Sequence, residues 1–175
     1  WWNPYRPDLK HMMDSVSKSF TSTAVGFAVS EKRLQVSDKV ITFYTEYEVP
    51  ADNPFWQELT VKHLLTMSVG QEPDPSGRIW SEEDWAKAFF QTPIVKKPGS
   101  TFLYNSMATY MLSAIVSRVT GQKVIDYLRP RLFEPLGITD IDWETGPNRN
   151  DTGGWGLRIR TEGMARFGLL LLQKG

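Results

Sequence analysis

Residues 19–30, SFTSTAVGFAVS, contain no charged side chain and are built largely from Ser, Thr, Ala and Gly. A run this small and this uncharged gains little from facing water, and it offers little bulk of its own. It is expected to fold only as an element packed closely on several sides. Phe20, Ala24, Phe27 and Ala28 recur at helical spacing along one side. The pattern therefore predicts a helix from Asp14 or Ser15 to about Lys32, in the middle of a domain that the other segments must surround. With 175 residues, 41% of them hydrophobic, the chain is long enough to bury such a core.

Those surrounding segments also read as short helices, cut apart by prolines. WWNPYRPDLKHMM, residues 1–13, is an irregular approach segment. Ser37 or Asp38 is expected to cap a short helix in VSDKVITFY, residues 48–59 to form a loop, and Thr60 to cap a helix ending near Gly70. QEPDPSGRIW is expected to be loop. Ser81 is expected to start a helix with Glu82, Glu83 and Asp84 in its first turn, where the macrodipole favours acids, ending before Pro93. A Pro98-Gly99 turn leads into a short extended segment. Met107, Tyr110, Met111, Ala114, Ile115 and Val119 then predict a helix over 106–120, stopped by Gly121. Residues 123–134 continue as a helix interrupted at Pro130 and Pro135. DTGGWGLRIR suits a short strand or hairpin, and Thr161 opens the last helix. The tally is about six helices against at most two or three short strands.

Several function classes drop out on composition. Twenty basic residues balance twenty acidic ones, so no electrostatic footprint for nucleic acid or an anionic membrane exists. There is no cysteine, which excludes disulfides, thiolate zinc sites and cysteine nucleophiles. No apolar stretch reaches the roughly 20 residues that span a bilayer. His11 and His63 have no acidic or histidine partners at ligand spacing, so no metal is expected; no organic cofactor is expected either. The chain opens on Trp1-Trp2 and closes on Gly175 directly after a helical pattern. It is therefore expected to be an internal fragment, and the missing targeting segment leaves an extracytoplasmic and a cytoplasmic location equally open.

Candidate chemistry sits at the head of the central helix. Ser15 and Lys18 are three positions apart, so on a helix they share a face, and a hydroxyl and an amine so placed form a nucleophile and its base. By itself the pair proves little: 13 serines and 10 lysines supply roughly 0.7 such pairs by chance. An N-cap serine beside an exposed lysine is the plain alternative. Yet a lysine opening an otherwise uncharged helix is poorly explained as surface decoration, because burying a charge is costly unless it is paired or neutralised. A second element is Tyr104-Asn105-Ser106, at the junction between an extended segment and a helix, where side chains often point into a cleft. A buried tyrosine next to a Ser106 N-cap is the alternative there. Ser68 in TMSVG lacks the first glycine of a nucleophile elbow. Gly153-Gly154-Trp155-Gly156 is expected to be a tight turn with a packed indole rather than a cleft wall.

Taken together, SVSKSFTSTAVGFAV, LLTMSVG, PGSTFLYNSMATYMLSAIVSRVTG, LFEPLGITD and TGGWGLRIRTEGMARFGLLLLQKG resemble the serine β-lactamase and penicillin-binding-protein superfamily. The likeness is to its class C-like, β-lactamase-related hydrolase and esterase branch, and it covers nearly all 175 residues. That resemblance implies an α+β fold of the β-lactamase/transpeptidase type. This chain would be its mostly α helical subdomain, residues 1–175 with one or two short strands, and the central antiparallel sheet would lie mostly elsewhere. It implies Ser15 as the acylated nucleophile, Lys18 as its proton acceptor and Tyr104 as the proton shuttle to the leaving group and from the attacking water. Ser106 would contact substrate or orient Lys18. The substrate would be a small-molecule carbonyl compound: an ester, an amide or peptide, or a β-lactam.

The superfamily's third motif, Lys/His-x-Gly on a strand, is not found after Tyr104. Lys97-Pro98-Gly99 matches its letters but precedes Tyr104 and falls in a turn. Half the oxyanion hole is thus expected to lie outside these residues, and the fragment alone to be inactive. A non-catalytic binding or sensory module of the same fold, or an unrelated helical interaction domain, are the competing readings. A pure binder has no chemical need for Ser15, Lys18 and Tyr104 together.

Overall fold

The computed structural model describes residues 3–175, so Trp1 and Trp2, the head of the expected approach segment, lie outside the described residues. The uncharged run forms α1 (Ser17–Ser30), preceded by a 3-10 turn over Asp14–Val16. Phe20, Ala24 and Ala28 are fully buried, and α1 packs against α6 (Ser106–Thr120). Alanines at the contact let the two backbones approach closely, while α6 offers Met107, Tyr110, Met111 and Ile115, all without exposed surface. Burying each such side chain contributes about 1.5–3 kcal/mol. Gly121 ends α6 in the left-handed conformation at φ 72°, the backbone state that glycine adopts without strain.

Around this pair lie α2 (Phe55–Glu58), α3 (Val61–Leu65), α4 (Ser76–Ile79), α5 (Trp85–Phe90), α7 (Val124–Leu128) and α8 (Thr161–Leu172). Two of these, α2 and α4, fall in segments expected to be loop. Pro54 and Pro75 stand immediately before them, and a proline placed there starts a helical turn instead of breaking one. The expected Ser81 start is displaced to Trp85: Asp84 is the cap, its carboxylate accepting from Lys87 N at 3.0 Å. Neither Ser37 nor Asp38 caps a helix. The Asp38 carboxylate instead accepts from Gln35 N at 2.7 Å, and a 3-10 turn over Val40–Phe43 follows Lys39. Thr60 does cap α3, but the helix stops at Leu65 rather than Gly70, with Met67 turned to φ 50°. After α7 the chain runs into a π-helical turn, Arg129–Phe133, because Pro130 has no N–H to continue the α ladder.

Among the described residues, three short strands form one antiparallel sheet in the order β1 (His11–Met12), β3 (Leu157–Ile159), β2 (Asp142–Trp143). The approach segment therefore ends in a strand, and the Gly-rich segment pairs with two partners where a single hairpin would supply one. Register sets Met12 opposite Arg158 and Trp143 opposite Leu157. Lys10, Asp142 and Arg158 line this sheet as alternating charges, Lys10–Asp142 at 2.6 Å and Arg158–Asp142 at 3.1 Å. The described chain is thus mostly helical with one small sheet. Among the described residues no helix is long and apolar enough to cross a membrane.

Candidate active site

The sheet fixes the turn that carries Ser15. Met13 N donates to Leu157 O at 2.8 Å, and Leu157 N donates to Ser17 Oγ at 3.3 Å, so β3 grips the chain on both sides of it. Asp14, between the strand and Ser15, holds φ 42°, a conformation that a non-glycine residue adopts only when the surroundings enforce it. Ser15 follows as the middle residue of the 3-10 turn and is exposed. The leading N–H groups of such a turn have no partner within it.

Lys18, half-buried on the first turn of α1, donates to Ser15 Oγ at 3.2 Å. The spacing of three positions thus brings the two groups together as expected, although Ser15 stands just before the α-helix and not on it. A second, shorter bond from Lys18 Nζ to Gly154 O, 2.6 Å, holds the amine in place. Tyr104 arrives from the end of the extended segment and donates to Ser15 Oγ at 2.6 Å. The Lys18 amine lies 5.0 Å from the centre of its ring. Burial works to raise the Tyr104 phenol, but the hydrogen bonds with Ser15 and Lys18 and the charge of Lys18 outweigh it. The group is held below its ordinary value of 10.

Ser106 opens α6 but is not its cap. Asn105 is, accepting from Ala108 N at 3.0 Å and donating to Gln71 Oε1 at 3.0 Å while 1% exposed. Ser106 lies at the edge of the cluster: a β-carbon on Gly154 would sit 3.6 Å from Ser106 Cβ and 3.5 Å from Lys18 Nζ. Sequence reasoning missed Asn105 and Gly154. For Asn105 a signal was present, since Asn is a strong capping residue directly before the helical pattern. For Gly154 there was none in the letters, because a backbone carbonyl carries no side-chain signature. The glycine run around it is a tight turn, as expected, and part of the site as well. At Gly153, φ 68°, a β-carbon would meet Ser113 Cβ at 2.7 Å, so only glycine lets the turn approach α6 this closely.

The remaining candidates are structural. His63 Nδ1 accepts from Thr60 N at 3.2 Å in the cap of α3. Ser68 is buried against Thr66, their hydroxyl oxygens 2.7 Å apart. Gly99, φ 86°, donates to Ser68 O at 2.7 Å, so Lys97-Pro98-Gly99 lies in a turn and not on a strand. His11 Nε2 is 3.1 Å from Arg6 O on the far side of β1 from Ser15 in sequence.

Chemically, the arrangement offers an exposed hydroxyl held by an amine and a phenol, both able to carry a proton. A protein-family model described as Beta-lactamase matches residues 1–175. A lovastatin esterase of Penicillium rubens is 32% identical over 113 residues, 58% of this chain and 28% of its own. A 6-aminohexanoate-dimer hydrolase of Paenarthrobacter ureafaciens is 26% identical over 193 residues, 98% of this chain and 47% of its own. Among solved structures, the octameric penicillin-binding protein homologue from Pyrococcus abyssi superposes with a TM-score of 0.79 at 23% identity, covering 98% of this chain and 46% of that one. The chain thus spans between about a quarter and a half of the length of these relatives.

Proposed function

Because the chain belongs to the beta-lactamase family, we propose that it carries the nucleophile half of a serine hydrolase that works through an acyl-enzyme. The observation that carries this is the double hydrogen bond to Ser15 Oγ, from Lys18 at 3.2 Å and Tyr104 at 2.6 Å. Ser15 Oγ attacks the carbonyl carbon of an ester, amide or β-lactam, and the π electrons move onto the carbonyl oxygen. The hydroxyl proton passes to Lys18 in its neutral amine form, the only form with a lone pair to accept it. Collapse of the tetrahedral intermediate breaks the bond to the leaving group, which takes its proton from Tyr104. Water then attacks the Ser15 ester, giving up its proton to Tyr104, and Ser15 departs with a proton from Lys18. The Ser15 backbone N–H is one oxyanion donor, and Ser106, beside Lys18, contacts substrate or orients the amine.

The second donor and the third motif would come from residues beyond these 175. The chain is then one subdomain of a larger hydrolase domain, a proposal supported by the share of each relative that it spans. The isolated 175 residues are expected to show no normal turnover.

The test uses the full-length protein, wild type and Ser15→Ala, incubated with a fluorescent penicillin and with an activated short-chain ester. The expected result is an acyl adduct on the wild type alone, located by mass spectrometry on the peptide containing Ser15. No adduct from either reagent on folded wild-type protein would leave the non-catalytic module standing instead.

A further inference from the structure

Trp80 directly follows α4 with its large side chain 56% exposed. Its ring lies 5.9 Å from that of Trp155 at 70°, edge against face, and Trp155 in turn lies 5.7 Å from the buried Trp85. Trp155 directly follows Gly154, whose carbonyl holds the Lys18 amine. Trp80 therefore presents an exposed aromatic face beside the Gly154 end of the cluster.

From this placement we infer that Trp80, seated on Trp155, is a specificity-determining residue that takes a flat apolar group on the acyl side of the substrate. This rests on the serine hydrolase reading above. The wall is rigid, because Trp155 is fixed through its own carbonyl, which accepts from Trp143 Nε1 at 2.7 Å and from Thr152 Oγ1 at 2.5 Å. A rigid aromatic surface loses little entropy on binding a planar group.

Two methyl esters with the same small leaving group, methyl acetate and methyl phenylacetate, separate an acyl-side contact from everything else. In the full-length protein Trp80→Ala is expected to lower kcat/KM for methyl phenylacetate about tenfold more than for methyl acetate, chiefly through KM. Trp80→Phe should restore most of the difference. Binding is read without chemistry in the Ser15→Ala background, where N-methylphenylacetamide should bind about tenfold more weakly once Trp80→Ala is added. Equal losses on both esters, or unchanged amide binding, overturn the role of Trp80 and leave the hydrolase intact. Turnover of neither ester together with no labelling of Ser15 overturns the hydrolase reading itself, and the amide titration still decides whether Trp80 binds an aryl group.

Discussion

Tyr104 and Ser15 are 89 positions apart in the chain, yet the Tyr104 phenol donates to Ser15 Oγ at 2.6 Å. Two unrelated devices deliver the pair: the β1–β3 grip on the turn at Asp14–Val16, and the Asn105 cap that ends the extended segment at the start of α6. If the phenol moves protons for Ser15, Tyr104→Phe should lower kcat/KM for ester hydrolysis by about 10²–10⁴-fold. The ring is 46% exposed, so losing its hydroxyl leaves the core untouched. The melting temperature should therefore stay within a degree or two of wild type. Activity loss accompanied by a matching loss of fold would sink the assignment.

The environment of Tyr104 gives a pH signature. Burial opposes ionisation, but the Ser15 and Lys18 hydrogen bonds and the Lys18 charge favour the phenolate more strongly, so the group titrates below 10. Ultraviolet difference titration of wild type against Tyr104→Phe should show one tyrosine ionising below pH 10. Lys18→Met removes both a donor and the cation, and the step should move upward. If the step stays in place without Lys18, the amine does not govern the phenol.

How much of this was legible in the letters follows from where each signal resides. The central helix and the 106–120 helix were readable because both carry long apolar repeats bounded by a stop, Gly121 in the second case. Four-residue α2 and α4 were not, since a single turn has no periodicity and the prolines before them resemble breakers. Ser15 and Lys18 meet through local helical geometry, which spacing alone anticipates. The meeting of Ser15 with Tyr104 is tertiary, and no local pattern encodes it; only the order of motifs along the chain pointed to it. Gly154 and Asn105 act through a carbonyl and a cap, groups whose value appears only when their partners are in place.

Asn105 links stability to the site. Its side chain satisfies Ala108 N and Gln71 Oε1, both at 3.0 Å, and it is almost wholly buried. Asn105→Ala removes the α6 cap, worth about 1 kcal/mol, and strands a buried amide oxygen on Gln71, costing about 1–3 kcal/mol more. A total of roughly 2–4 kcal/mol should appear in urea unfolding. Because Tyr104 and Ser106 flank the residue, ester turnover should also fall at temperatures where the variant is still folded. Asn105→Asp, which keeps the acceptor for Ala108 N, should recover the cap portion only.

Asp151 is the least comfortable carboxyl in the molecule's interior. It has no exposed surface; one oxygen accepts from Ile125 N at 2.7 Å, near the start of α7, and the other is buried without a partner among the described residues. Burial pushes its pKa up to about 6, against the opposing pull of the Ile125 N–H and the charge of Lys123, with Asp126 adding to the rise. A carboxyl raised from about 3.9 when unfolded to about 6 when folded binds more protons in the folded state between those values. Its stabilisation is complete below about pH 4 and is lost as pH rises through 6, an effect on the order of 3 kcal/mol. Asp140 and Asp142, held low by Lys10 and by Arg160 or Arg158, act in the opposite direction, so the raw stability curve mixes the two. Asp151→Asn isolates the contribution of this carboxyl: its amide oxygen keeps the bond to Ile125 N, but its NH2 becomes a buried donor in place of the titrating oxygen. The variant should be clearly less stable than wild type at pH 4, and the gap should close by about 3 kcal/mol by pH 7. Chemical unfolding of both proteins across that range measures the gap directly, and a gap independent of pH would show that Asp151 is already ionised in the folded protein at pH 4.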